Sequence, residues 1–187
     1  MMNVGHQERC SSKEWADKLG YDLLPWGLED IPLDGDVLEF GPGYGASTAV
    51  LVDACGSLTI VESDPELASG LRQRFPEADI RDGDATDTGF KPASYDTVVC
   101  FTMLHHVSPP ALQDKLFAEA ARVLKPGGWF AGTDSRASDD LLAFHEDDVY
   151  EPVDPDALPD RLRAAGFDDI SVGLRDGVFR FRARLPR

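Results

Sequence analysis

The chain has 187 residues, 42% hydrophobic and 28% charged, which suits a globular protein with one substantial core. Its formal net charge of −16 argues against DNA, bulk RNA or an anionic membrane surface as partner, because Lys and Arg must neutralise such phosphates. Cys10, Cys55 and Cys100 are widely spaced without a CxxC pattern and read as free thiols of a reducing compartment. With no basic-then-apolar leader and no apolar run long enough to span a membrane, the expected location is the cytoplasm.

Residues 10–33, CSSKEWADKLGYDLLPWGLEDIPL, read as a helix or two before the first strand, with Trp15, Tyr21 and Trp26 as candidate pocket aromatics. Buried strands are expected at DVLEF (36–40), SLTIVE (57–62), ADIRDGD (78–84), YDTVVCF (95–101) and GWFAGTD (128–134). Helical stretches lie between them: ASTAVLVDAC (46–55), PELASGLRQRF (65–75) and PALQDKLFAEAARVL (110–124). In the last, Leu112, Leu116, Phe117, Ala120 and Leu124 recur at helical spacing, and KPGG stops the run. This alternation predicts parallel βαβ units in a doubly wound α/β sheet. Toward the end, DPDALPDRLRAAGF reads as a helix closed by Gly166, and DDISVGL and VFRFRARL flank the turn RDG as an antiparallel hairpin.

The expected organisation is one domain over residues 1–187: a helical cover (1–33), a cofactor-binding core (34–134) and a tail (135–187) of acidic segment, helix and hairpin. Thirteen arginines against five lysines hint at a GC-rich bacterial source. Asp134 to Asp160 holds ten acids and one base, whereas Arg161 to the end holds seven arginines and three aspartates. Arg180, Arg182 and Arg184 share one face of the last strand. That face is either solvated or covered by the acidic segment, and the second arrangement is the sharper expectation.

VLEFGPGYGAST (37–48) joins the first strand to a glycine-rich turn and a helix start. Gly41 and Gly43 permit sharp backbone geometry and close ligand approach, and Gly45 lets the helix begin tightly against the turn. GPGYGA also fits the dinucleotide fingerprint, so the loop alone does not choose a ligand. Glu39 bears on the choice. A carboxylate about 4 Å from a phosphate charge is repelled by roughly 4 kcal/mol at an effective dielectric near 20. A cationic sulfonium or ammonium ligand without phosphate has the opposite sign. Glu39 also fits a buried carboxylate capping nearby amides. Glu62 and Asp84 close the second and third strands. Each alone suits a helix cap, while together they place carboxylates where ribose hydroxyls and an adenine amino group would bind, with the backbone of Ala85 reading the ring edge.

Taken in order, VLEFGPGYG, the acid of TIVESDP, GDA, YDTVVCFTMLHHV and VLKPGGWF resemble class I S-adenosylmethionine-dependent methyltransferases of the group acting mostly on small molecules. The resemblance implies a Rossmann-like, seven-stranded, mostly parallel sheet with an antiparallel last strand. It implies that Glu39 serves the methionine end, often through water, lined by Gly41, Gly43 and Gly45. It assigns Glu62 to the ribose with Ser63 beside the adenine, Asp84 and Ala85 to the adenine, and Phe101 to the length of the cofactor. Thr102 to His106 should border cofactor and substrate. The implied cofactor is S-adenosylmethionine, leaving S-adenosylhomocysteine, and the implied partner is a small-molecule acceptor.

Methyl transfer needs a general base only if the acceptor must lose its proton early. His105 and His106 are the nearest candidates, the alternative being one packed and one solvent-facing histidine. Some related enzymes bind a divalent metal through glutamate and histidine here, but Thr102 and His105 stand where those glutamates would. HEDD (145–148) points its side chains in different directions, so no metal is expected at either place. Two other readings stay open: a cofactor-binding protein without catalysis, and a dinucleotide-dependent oxidoreductase.

Overall fold

The computed structural model describes residues 3–187. Short helices come first: α1 (Val4–Cys10), α2 (Lys13–Lys18), a π-helical turn (Leu19–Leu23) and α3 (Leu24–Gly27). Asn3 and Ser12 cap α1 and α2 by accepting from the His6 and Trp15 amides. Then come β1 (Asp36–Phe40), α4 (Thr48–Ala54), β2 (Ser57–Glu62), α5 (Pro65–Arg74), β3 (Asp79–Asp82) and β4 (Tyr95–Phe101). After a 3-10 turn (Leu104–His106), α6 (Pro110–Val123) leads into β5 (Leu124–Ser135). The chain ends with α7 (Asp139–Phe144), α8 (Leu158–Ala164), β6 (Asp168–Arg175) and β7 (Val178–Arg184).

The strands form one seven-stranded sheet in the order β3-β2-β1-β4-β5-β7-β6, with β7 antiparallel to both neighbours and the first five strands parallel. β1 and β4 are buried along nearly their whole length, as expected for central strands covered on both faces. One side packs α6, α8 and the hairpin through Phe117, Phe130, Phe167, Phe179 and Phe181, and the other packs the N-terminal helices, α4 and α5 through Leu19, Leu23, Leu51 and Leu71. Pro65 at the first turn of α5 and the Asp64 carboxylate, accepting from Glu66 and Leu67 amides at 2.8 and 3.2 Å, fix where that helix starts. Strand order reverses between β1 and β4, and the chain leaves both at the same edge of the sheet. Crevices at such a switch point are where α/β sheets take ligands. No helix among the described residues is long and apolar enough to cross a membrane.

One expectation is corrected. The arginine face of β7 is covered by the N-terminal helical segment, not by the acidic stretch. Arg180 donates to the Trp26 carbonyl at 2.6 Å and pairs with Glu29 at 2.8 Å, and Arg182 donates to the Glu29 carbonyl at 2.5 Å. Arg184 reaches the Gly127 carbonyl at 3.0 Å. Trp26 lies under two guanidinium groups, Arg175 at 4.7 Å and Arg180 at 5.2 Å from its ring centroid. Placing β7 between β5 and β6 turns this face toward α3, so the acidic stretch is left to run past the strand ends.

Candidate active site

A cavity of about 490 Å³ opens at the β1/β4 switch point, a size suited to a nucleoside-sized ligand. Its walls include the glycine turn after β1, Glu62 and Ser63 after β2, Phe101 to Met103 after β4, and His6, Cys10 and Trp15 from the helical cover. A second chamber of about 240 Å³ adjoins it, lined by Asp84 and Ala85 and sharing Gly41, Ser63, Met103, His106 and Val107.

Gly41, Gly43 and Gly45 all have positive φ, at 55°, 59° and 76°. Gly43 faces open space, and its amide donates to Glu62 Oε2 at 3.0 Å. Gly45 has a different duty and lies off both cavity walls. A Cβ there would sit 2.6 Å from Leu71 and 2.8 Å from Phe75, so its missing side chain lets α5 pack against the turn.

Glu62 is buried yet lines the cavity, with Oε1 accepting from the Asp64 amide at 3.0 Å. Glu39 stands behind the wall, fully buried. Its two carboxylate oxygens accept from the hydroxyls of Ser47 and Thr48, the latter at 2.7 Å. Burial pushes its carboxyl up to about 7, against the pull of those two hydroxyls. Ser47, which does line the cavity, thus carries the influence of Glu39 to the ligand side. These two hydroxyls follow the glycines directly in GAST, where nothing in the residue pattern marks them as partners of the preceding strand's carboxylate.

Asp84 closes a turn by accepting from the Thr86 amide at 2.8 Å. Phe101 lies on the main cavity wall, and Thr102 after it takes φ of 50°, a left-handed conformation that a β-branched residue holds at a cost.

The two candidate bases separate. His105 lines neither chamber: its Nδ1 meets Asp134 Oδ1 at 2.5 Å. Asp134, at the end of β5, also accepts amides from Leu104 at 2.8 Å and Ser135 at 2.6 Å, so it shapes the loop after β4. Burial opposes charge on both partners, yet their mutual attraction holds His105 above and Asp134 below their ordinary values. His106 lines both chambers. Burial, then the nearby charges of His105 and His6, lower it to about 3, so it is neutral. Of the candidate aromatics, Trp15 lines the cavity, Tyr21 is exposed and Trp26 serves the arginine face. His6, about a hundred residues from the histidine pair, reaches the cavity without any sequence signal.

Across both chambers, no described lining residue is a lysine or arginine, whereas Glu62, Asp64 and Asp84 contribute carboxylates. Such a lining suits a ligand with a cationic end and hydroxyls and lacks the side-chain cations that pyrophosphate recognition favours.

Residues 38–132 match the sequence profile of the methyltransferase domain family. A Mycolicibacterium smegmatis protein named "Probable S-adenosylmethionine-dependent methyltransferase" is 34% identical over 151 residues, covering 76% of this chain and 56% of the relative. Ribosomal RNA small subunit methyltransferase A of Chlorobium chlorochromatii is 42% identical over 57 residues, or 30% of this chain and 22% of that protein. The chain thus spans little more than half, or less, of those two curated relatives. A solved phosphoethanolamine N-methyltransferase 2 of Haemonchus contortus, bound to phosphomonomethylethanolamine and S-adenosylhomocysteine, superposes with a TM-score of 0.76 at 16% identity, over 93% of this chain and 56% of that one. The PH0226 protein of Pyrococcus horikoshii gives 0.78 at 16% identity over 95% and 93%, which speaks to the fold alone. The glycine turn, the acids at the strand ends, the 3-2-1-4-5-7-6 sheet and the matched profile agree: the chain belongs to the class I S-adenosylmethionine-dependent methyltransferases.

Proposed function

We propose that the chain transfers the methyl group of S-adenosylmethionine to a small, non-phosphorylated acceptor. The observation that carries this is a cavity at the switch point whose charged side chains are all carboxylates, beside a glycine turn with one face open. Glu62 accepts from the ribose hydroxyls, and Asp84 with the Ala85 backbone holds the adenine beside Ser63. Gly41, Gly43 and Ser47 line the methionine end, with Glu39 acting from behind. When bound, the cofactor supplies an activated methyl carbon.

The protein's share of the chemistry is alignment and exclusion of water, worth about 7–11 kcal/mol when two reactants are held in line. Phe101, Trp15 and Met103 give the cavity its apolar walls. His106 is neutral at physiological pH and a weak base at about 3, which favours an acceptor whose nucleophile needs no early deprotonation, or one that loses its proton after transfer. The net charge of −16 weighs against an RNA acceptor, whatever the ribosomal RNA relative acts on.

The test is S-adenosylhomocysteine release from the purified chain across a panel of small amines, phenols and thiols, each paired with a phosphorylated counterpart. Turnover confined to the unphosphorylated members supports the reading. Turnover on phosphorylated compounds or RNA alone overturns the acceptor class, and cofactor binding with no turnover overturns catalysis.

A further inference from the structure

The protein has four histidines, and all four meet in one cluster beside the cavity, although they come from α1, the turn after β4 and the end of α7. Ring centroids of His6 lie 4.9 Å from His106 and 4.6 Å from His145, and His106 lies 5.4 Å from His145. In each of these three rings Nδ1 is already engaged. His6 meets the Asp148 carboxylate at 2.8 Å, His106 the Val149 carbonyl at 3.1 Å and His145 the Leu141 carbonyl at 2.7 Å. An acceptor at Nδ1 keeps the proton there and leaves the Nε2 lone pair free. The Nε2 of His145 is buried with no hydrogen-bond partner among the described residues, in a residue only 4% exposed. An orphaned buried nitrogen of this kind calls for an explanation.

We infer that His6, His106 and His145 form a binding site for a divalent first-row transition metal, with zinc the best fit. One ring nitrogen from each lies within 4.8 Å of the other two. A tetrahedral set with bonds of 2.0–2.1 Å needs nitrogens about 3.4 Å apart, so the widest pair closes by small ring rotations on binding. Three neutral imidazoles suit zinc and its neighbours and are poor ligands for magnesium or calcium. Each ligand also has the outer partner that metal-bound histidines keep, a carboxylate for His6 and carbonyls for the other two. Asn3 reinforces the frame. Its Oδ1 accepts from the His6 amide at 2.9 Å, and its Nδ2 donates to the Phe144 and Glu146 carbonyls on either side of His145 at 2.8 and 3.1 Å.

The set differs from both places weighed in the sequence. His105 stands outside it, its Nδ1 turned to Asp134, and the Thr102 hydroxyl donates to the Phe101 carbonyl at 2.8 Å. From HEDD, His145 is a ligand and Asp148 its neighbour's support, brought there by the turn after α7 rather than by adjacency in sequence. Three protein ligands leave a fourth position, and because His6 and His106 line the main cavity that position opens toward it. An ion there would pin the helical cover to the strand-end loops and present a Lewis acid to the acceptor side. The site needs no cofactor to form, so it stands or falls separately from the methyl-transfer reading.

The test uses the full chain, free of any histidine tag and stripped with a chelator. Zn²⁺ is titrated by calorimetry and Co²⁺ by visible absorption, both without S-adenosylmethionine. The expected result is one ion per chain and the intense d–d band of tetrahedral Co²⁺, both weakened at least 100-fold in His6→Gln and His145→Gln. Asp148→Asn, which keeps all three ligands, should weaken binding about 10–100-fold and guards against a misfolded histidine variant. Absence of stoichiometric Zn²⁺ binding below millimolar, or wild-type affinity in His145→Gln or in Asp148→Asn, would overturn the site.

Discussion

His105 turns its Nδ1 onto Asp134 Oδ1 at 2.5 Å, and the same carboxylate accepts the Leu104 and Ser135 amides. One buried acid at the end of β5 therefore sets the path of the loop that leaves β4 along the cavity. Asp134→Asn breaks this pair and leaves a buried imidazole without its counter-charge. The expected loss is about 3–5 kcal/mol in urea unfolding, with unchanged m-value. A loss under about 1 kcal/mol would mean that the loop is held by other contacts.

Glu39 gives a pH prediction. Its folded carboxyl is raised to about 7 by burial, against an ordinary glutamate value near 4.5. A raised value means that its contribution to stability is fully present below about 4.5 and is lost as pH rises through about 7, at a slope of about 1.4 kcal/mol for each pH unit between the two. Glu39→Gln keeps an acceptor for Ser47 or Thr48 and removes the titration. Unfolding free energies measured from about pH 4.5 to about pH 8 should fall less steeply in the variant than in the wild type. Parallel curves would show that Glu39 does not titrate in this range.

Thr102 holds φ of 50° on the cavity wall. Thr102→Gly removes the strain of that conformation and should raise stability by about 1 kcal/mol while lowering turnover, because the loop between cofactor and acceptor gains freedom. Thermal unfolding and S-adenosylhomocysteine release on the same samples check both parts. A lower melting temperature would show that Thr102 sits there without strain.

Arg180 pins the helical cover to the sheet through the Trp26 carbonyl, Glu29 and the Trp26 ring. Arg180→Ala should cost about 2 kcal/mol and expose the segment between Trp15 and Glu29 to protease, whereas removing Asp139, Asp140, Asp154 and Asp156 together should not. Protection lost on removing those acids instead would restore the arrangement that charge alone suggests.

Much of this molecule is legible in its sequence for physical reasons. β1, β2 and β4 fall on DVLEF, SLTIVE and YDTVVCF because central parallel strands are continuous apolar runs. Parallel strands also bring their C-terminal ends to one edge, so the residue pattern alone places Glu62, Asp84 and the glycine turn together. What the pattern could not supply is which element covers a face. Alternation puts Arg180, Arg182 and Arg184 on one side of β7, but only the insertion of β7 beside β5 turns that side toward α3. Proximity across the helical cover was equally hidden: nothing local to His6 or His145 says that their rings meet that of His106.

The proposed function rests on a crevice that takes S-adenosylmethionine through Glu62. The most direct measurement is calorimetric titration of wild type and Glu62→Ala with S-adenosylhomocysteine and with NAD. The first should bind and the second should not, with affinity about 10–100-fold weaker in the variant, as expected for lost hydrogen bonds to a charged acceptor. Binding of NAD alone, or S-adenosylhomocysteine bound equally well by Glu62→Ala, would contradict it.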